Sequence, residues 1–266
     1  MRIAILGGTG TLGRAAIDTA VAAGHDVVAI SRRAPGRLPP GVAHAAADVT
    51  TGDGLARALA GAEVLIDATN ARRDAGKVLI EGTRRVLEAA RDAGARHFVG
   101  ISIVGIDDAP IAYYRVKAAQ EKVIAEGPVP WSLLRATQFH DLVAEFARGT
   151  LGVVLAPRGW LLQPVDVREV AAALVAAVGD GPSGRLPDVA GPEVAAFGDL
   201  ARAWKRAAGR RRLIIPVPVP GAIGRHLRSG RMCNVDRSVG TISFGDWLAE
   251  RYGGAEGRPA TETARA

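Results

Sequence analysis

An α/β fold built on a doubly wound parallel sheet, with a small C-terminal capping region, is predicted by three features of the 266-residue sequence. Short β-like apolar runs alternate with longer helical stretches through the first half of the chain. Glycines stand just after the helical stretches, at Gly24, Gly61, Gly94 and Gly127, where helices end. A glycine-rich turn joins the first run to the first helix. Hydrophobic residues make up 48% of the chain and charged residues 23%, enough apolar material for a core and too much for disorder. One continuous body is expected at this length, because single cores grow to about 250–300 residues.

Taken in order, the apolar runs predict strands over Arg2 to Leu6, Asp26 to Ile30, Val42 to Ala46, Glu63 to Asp67, His97 to Ile101 and Trp131 to Leu134. Between them, helices are predicted over Thr11 to Ala23, Asp53 to Ala60, Ala75 to Ala93 and Tyr113 to Ala125. Beyond about residue 150 the pattern is broken by Pro157, Pro164, Pro182, Pro187 and Pro192, with helices over Asp166 to Val178 and Phe197 to Ala208. Asp166 stands at a helix N-cap with Glu169 three residues on, a capping-box-like pair. Pro216, Pro218 and Pro220 suggest an extended polyproline-like segment. The expected organisation is a nucleotide-binding domain over 1–155, a smaller capping region over 156–252 and a loose tail over 253–266. No internal repeat is visible.

Several classes are set aside. The apolar part of Met1 to Leu6 is far shorter than a secretory core of about 7–15 residues. The longest apolar run, Ala171 to Val178, falls well below the roughly 18 residues of a membrane span. Cys233 is the single cysteine, so no intramolecular disulfide framework exists and a cytoplasmic setting is expected. The net charge is +7, yet the arginines are scattered, and the densest basic cluster (Arg202, Lys205, Arg206 and Arg210 to Arg212) carries no nucleic-acid-binding signature. Neither nucleic acid nor a membrane is an expected partner; a homo-oligomer is left open. His25, His44, His97 and His226 lack ligand spacing, so no metal is expected. Trp131, Trp204 and Trp247 read as core or interface residues.

Directly after the first strand stands Gly7-Gly8-Thr9-Gly10-Thr11-Leu12-Gly13. With 33 glycines in the chain, roughly 0.5 matches to such a spacing arise by chance, so position carries the argument. Following a strand and opening a helix, the loop brings backbone N–H groups and a positive dipole end to a pyrophosphate, and glycines permit that approach. A Rossmann-type dinucleotide site is therefore expected. Where the second strand ends, the residue reading the adenosine ribose is expected; the sequence there is Ser31-Arg32-Arg33. A serine hydroxyl and a guanidinium fork suit a 2′-phosphate, which points to NADP(H). Asp48 and Val49, after the third strand, fall beside the adenine; Asp48 either accepts from the adenine amino group or caps a turn. Ala68, Thr69 and Asn70, ending the fourth strand, pass close to the cofactor.

The fifth strand leads into Ser102, and Tyr113 and Lys117 form a YxxxK pair on the following helix, where residues four apart share a face. A phenol of pKa about 10 works near neutrality beside a cation, which Lys117 would supply. Lys117 would also bind the nicotinamide ribose, and Ser102 would donate to the substrate oxygen where charge develops.

Together GGTGTLG, SRR, ADVT, DATN, ISIVG, YYRVKAAQE and VPWSLLRATQFHD resemble the atypical short-chain dehydrogenase/reductases of the NmrA-like, NAD(P)H-binding type, over about residues 1–180. The resemblance implies a Rossmann domain binding NADP(H) and a C-terminal region closing over the nicotinamide. In that group the lysine matching Lys117 is commonly retained and the tyrosine is often missing, so Tyr113 favours a working reductase. The spacing from Ser102 is shorter than in many catalytic members, which leaves Tyr114 as the alternative inward residue. The segment Arg135 to His140 is implied to pass the nicotinamide, with Gln138, Phe139 and His140 lining the substrate pocket; His140 otherwise reads as a helix-start residue. The expected function is NADPH-dependent reduction of a carbonyl, quinone or enone of a small hydrophobic molecule. A non-catalytic NADP(H) redox sensor is the alternative from another class. A nucleotide-sugar epimerase or dehydratase is a weaker one, since it expects retained NAD.

Overall fold

Ile3 and Ile5 in the first strand pack into one apolar cluster and Ala4 and Leu6 into another, so both faces of this strand must be covered. The computed structural model describes residues 1–253. The remainder of the expected 253–266 tail lies outside the described residues. In chain order the first half runs β1 (Arg2–Leu6), α1 (Thr11–Ala22), β2 (Asp26–Ser31), β3 (Ala43–Ala46), α2 (Leu55–Leu59), β4 (Val64–Asp67), a π-helical turn (Gly76–Glu81) continuing into α3 (Gly82–Asp92), β5 (His97–Ile103), α4 (Ala112–Ala125) and β6 (Trp131–Ala136). The second half adds α5 (His140–Arg148), β7 (Val153–Pro157), β8 (Leu161–Leu162), α6 (Val167–Asp180), β9 (Gly184–Arg185), β10 (Ala195–Ala196), α7 (Phe197–Ala207), β11 (Leu213–Val217), α8 (Gly221–Arg228) and α9 (Phe244–Tyr252).

Seven strands form one parallel sheet in the order β3-β2-β1-β4-β5-β6-β9. Strand order reverses between β1 and β4, and in doubly wound sheets the crevice at that switch, beyond the strands' C-terminal ends, is where ligands bind. Residues of α1 and α6 share a core with one face of the sheet, through Ala16, Ile17, Ala20, Ala171 and Leu174. On the other face α2, α3 and α4 contribute Leu59, Leu87 and Ile124. A third cluster joins α5, α7, α8 and α9 with β7 and β8, through Val143, Trp204, Leu227 and Trp247.

Three features depart from the sequence expectation. A boundary at residue 155 does not separate the two parts, because α6 and β9 return to the sheet while α5, which precedes that residue, packs into the third cluster. Instead of an isolated polyproline segment, Leu213–Val217 pairs in parallel with Val153–Pro157, and Pro216 sits inside the strand. On this two-stranded ribbon the missing N–H needs no inner partner. Finally, Asp166 caps α6 by accepting from the Arg168 N–H at 2.8 Å, but Glu169 does not reach back. Its carboxylate accepts from the Thr241 N–H at 2.6 Å and the Thr241 hydroxyl at 2.9 Å, tying the C-terminal segment to the sheet layer. Among the described residues, no helix is long and apolar enough to cross a membrane.

Candidate dinucleotide and reaction site

At the switch point the glycine turn is closed on itself. Gly7 adopts φ +71°, the left-handed region that disfavours side chains, and the Gly10 N–H donates to its carbonyl at 2.8 Å. A Cβ at Gly13 would come within 2.1 Å of the Gly7 oxygen, so α1 starts hard against the turn. Gly10 caps α1 without a side-chain hydrogen bond, which leaves the first-turn N–H groups of Thr11, Leu12 and Gly13 for an anion. Leu12 is buried in the core below, and Thr9 and Thr11 stand at the rim. A cradle that a side chain would fill, at the positive end of a helix, fits a dinucleotide pyrophosphate.

At the end of β2, the Ser31 hydroxyl donates to the Arg33 carbonyl at 2.7 Å and lies 3.0 Å from His44 Nε2. Arg32 and Arg33 are exposed. Asp48 acts as the turn cap: one carboxylate oxygen accepts from both the N–H and the hydroxyl of Thr50 at 2.7 Å. Those bonds, with the charges of Arg32 and Lys77 adding to them, hold its carboxyl below the ordinary range. Val49 lies against Gly82, where a Cβ would meet its Cγ2 at 3.0 Å. Lys77 in the π-helical turn was not anticipated from the sequence, nor were Arg14 and Arg37, which line a cavity of about 300 Å³ between α1 and the loop after β2.

The reaction end gathers β4, β5 and α4. Lys117 is buried, and its ammonium donates to the Ile101 carbonyl at 2.9 Å and to Gln120 Oε1 at 2.6 Å; the Gln120 amide in turn donates to the Thr83 hydroxyl at 3.0 Å. Burial lowers its pKa to about 8, against the opposing charges of Asp67 and Glu121. Asp67 is itself buried and pushed up by desolvation, although its carboxylate accepts from the Thr69 N–H at 2.9 Å. Ser102 is buried beside Ile101, and its hydroxyl has no hydrogen-bond partner among the described residues. The Tyr113 hydroxyl donates to the Asn70 amide oxygen at 2.5 Å. Tyr114 instead packs into the third cluster, edge-on to His226 with ring centres 6.3 Å apart.

One electrostatic expectation is corrected. Burial raises the Tyr113 pKa above its ordinary 10.0, and the cation that opposes this is Arg72, not Lys117. Arg72 is held there by a two-pronged pair with Glu145 of α5 at 2.8 and 3.0 Å. Lys117 points beneath the helix because a buried ammonium needs oxygen partners, and the β5 backbone supplies one.

The segment after β6 is tied to the C-terminal part of the chain. The Gln138 amide donates to the Met232 carbonyl at 3.2 Å and its oxygen accepts from the Gln163 N–H at 3.3 Å. His140 is fully buried, donates to the Ile242 carbonyl at 3.0 Å and packs on Phe244 and Trp247. Both side chains therefore fasten the C-terminal segment. Phe139, half-buried, packs on the sheet cluster as the residue capping α5. Arg135 is locked by Glu121 and Asp107, an ion triad that fixes the loop between β5 and α4.

Residues 7–180 match the family model described as NAD(P)H-binding. The chain belongs to this NAD(P)H-binding family. Among curated relatives, a (4-alkanoyl-5-oxo-2,5-dihydrofuran-3-yl)methyl phosphate reductase of Streptomyces griseus is 32% identical over 217 residues, covering 78% of this chain and 74% of the relative. Among solved structures, an NADPH-dependent quinone oxidoreductase of Escherichia coli in complex with NADPH superposes with a TM-score of 0.75 at 20% identity, covering 94% of this chain and 99% of that one. A triphenylmethane reductase of Citrobacter sp. gives 0.76 at 20% identity, over 95% and 99%. These two share the fold with this NAD(P)H-binding chain.

The buried lysine makes a pH prediction. With a pKa of about 8 in the folded state against an ordinary 10.5, Lys117 binds more proton in the unfolded chain between those pH values, so stability rises with pH there. Wild-type stability minus that of Lys117→Met is expected to increase by about 2 kcal/mol from pH 7.5 to 9.5. Urea unfolding of the two proteins at both pH values measures it; a constant difference would show that the lysine is not desolvated.

Proposed function

We propose that this chain is an NADPH-dependent reductase of a carbonyl, quinone or enone group on a small molecule, with Tyr113 as the proton donor. The observation that carries the reading is the Tyr113 hydroxyl, held 2.5 Å from Asn70 at the C-terminal end of β4, on the helix that also carries the buried Lys117. When bound, the dinucleotide supplies the hydride. Gly7 to Gly13 and the α1 N-terminus would hold its pyrophosphate, and Arg32 with Arg33 its 2′-phosphate. Two of the three Lys117 N–H donors are used by Ile101 and Gln120, and the third is available to ribose hydroxyls. Tyr113, kept protonated by burial, gives its proton to the substrate oxygen. The unpartnered Ser102 hydroxyl donates to that same oxygen as charge develops on it. The named substrates of the relatives, an oxo-dihydrofuran phosphate and quinones, support a carbonyl or enone class.

The test is NADPH oxidation by the purified protein over a panel of quinones, ketones, aldehydes and enones, run beside NADH. Turnover that prefers NADPH is expected. Tight NADPH binding with silence across the panel would replace the reductase by a dinucleotide-sensing role. For the cofactor preference, Arg32→Ala is expected to lower kcat/KM for NADPH by roughly 10–100-fold, the loss of a charged hydrogen bond, and to leave NADH unchanged. Equal losses with both cofactors would remove Arg32 from the 2′-phosphate site.

A further inference from the structure

The loop between β5 and α4 and the far end of α8 enclose a groove of about 320 Å³, lined by Asp108, Pro110, Arg225, His226, Ser229 and Arg231. That is the lower end of the range for small-molecule pockets, about 300–1,000 Å³. Its position ties it to the reaction end. Gly105, three residues beyond Ser102, lies so close to the turn after α8 that a Cβ there would meet the Arg231 carbonyl oxygen at 2.1 Å. Tyr114 bridges the two regions, its ring centre 6.2 Å from that of Tyr113 on one side and 6.3 Å from that of His226 on the other.

The groove's charge is unbalanced. Many arginines of this chain are paired: Arg72 with Glu145, Arg135 with Glu121, Arg168 with Glu250 and Arg202 with Asp199. Arg225 and Arg231 are exposed, and no carboxylate among the described residues, Asp108 included, lies within 4.0 Å of either guanidinium. The turn bearing Arg231 is built: the Ser229 hydroxyl donates to the His226 carbonyl at 2.8 Å and accepts from the Arg231 N–H at 3.2 Å. His226 is 6% exposed and its buried Nε2 has no partner. Burial, with Arg231 adding to it, holds the imidazole below its ordinary range and so neutral.

We infer that this groove receives an oxyanion substituent carried by the substrate, a phosphate monoester or a carboxylate, with Arg225 and Arg231 as its binding residues. The inference rests on the reductase reading: the groove lies on the far side of the buried Tyr114 ring from Tyr113, and a molecule whose reducible group sits at Tyr113 would run over the edge of that ring to reach it. Guanidinium forks match such oxyanions in two-pronged geometry, and here the arginines need not first be released from a carboxylate.

Calorimetric titration of the NADPH-loaded protein with phenyl phosphate, phenol and inorganic phosphate tests it; loading removes competition from the cofactor's own phosphate sites. Phenyl phosphate is expected to bind at least tenfold more tightly than phenol or inorganic phosphate. Arg225→Gln and Arg231→Gln, both at exposed positions, are each expected to weaken it tenfold or more, and Arg57→Gln on the remote α2 to leave it unchanged. Unaltered binding in both groove variants would overturn the site. Inorganic phosphate binding as tightly as phenyl phosphate would overturn the substrate-borne assignment. The two readings fail separately: phenyl phosphate bound through the arginines with no turnover on any substrate would remove the reductase and keep the groove, and turnover with no phosphate binding would do the reverse.

Discussion

Tyr113→Phe is expected to lower kcat/KM for a good carbonyl substrate by ~10²–10⁴, the usual contribution of a positioned general acid. The substitution removes one oxygen and leaves the ring in place against its neighbours in the C-terminal cluster. Loss of the 2.5 Å bond to Asn70 costs about 0.5–1.5 kcal/mol, so the variant folds. NADPH affinity is expected to stay within about twofold, because the ring hydroxyl is not among the groups proposed to hold the pyrophosphate or 2′-phosphate. Tyr114→Phe is the matched control: that ring faces His226, and its loss of hydroxyl should barely alter turnover. The pH profile provides a second reading. A donor must be protonated, and burial lifts the Tyr113 phenol above 10.0, so loss of the Tyr113 proton should lower the rate only in strong alkali, well above any change from Lys117 near pH 8. Steady-state NADPH oxidation decides; an unchanged kcat/KM in Tyr113→Phe, or a larger loss in Tyr114→Phe, removes Tyr113 from the proton-transfer role.

What was legible in the sequence was what local chemistry controls. All six strands of the first half fall where apolar runs predict them, since each run is bounded by glycine, proline or charge. β5 and β6 nevertheless extend further, to Ile103 and Ala136, because Ser102 pairs with Arg135 and Ile103 with Ala136 across the sheet, a register set by tertiary contact. The same limit explains Gln138 and His140. Their partners Met232 and Ile242 lie 94 and 102 residues away, and no spacing rule reaches that far. Tyr113 and Lys117 stand four residues apart on α4, yet their side chains diverge, one to Asn70 just after β4 and one to the Ile101 carbonyl within β5. Gln120 was readable in principle, because a residue three after a buried lysine lies on its face and can satisfy it. Thr83, Arg72 and Lys77 were not, for each arrives from another element.

Gly13→Ala carries the largest expected effect on the cofactor site. An alanine in a helix ordinarily gains about 1 kcal/mol over glycine. Here the added Cβ would stand 2.1 Å from the Gly7 oxygen, 2.7 Å from the Gly7 carbonyl carbon and 2.8 Å from the Gly8 Cα, all backbone atoms that cannot rotate away. The turn cannot retreat either, because a Cβ at Gly7 would itself be 2.7 Å from the Ala68 oxygen, which shows how tightly β4 backs the loop. Relief must come from lifting α1 off the turn, which breaks its packing on the sheet and moves the N–H groups proposed to face the pyrophosphate. Overpacking of this kind costs roughly 1–3 kcal/mol or more, which exceeds the helix gain. NADPH affinity is expected to fall by more than 100-fold. Gly24→Ala separates backbone strain from crowding: that glycine is also left-handed, at φ +77°, but has nothing within 4 Å of a Cβ. It should lose about 1–2 kcal/mol of stability and bind NADPH as the wild type does. Urea unfolding and fluorescence titration with NADPH give both numbers. Wild-type affinity in Gly13→Ala would mean that the dinucleotide does not sit on this turn.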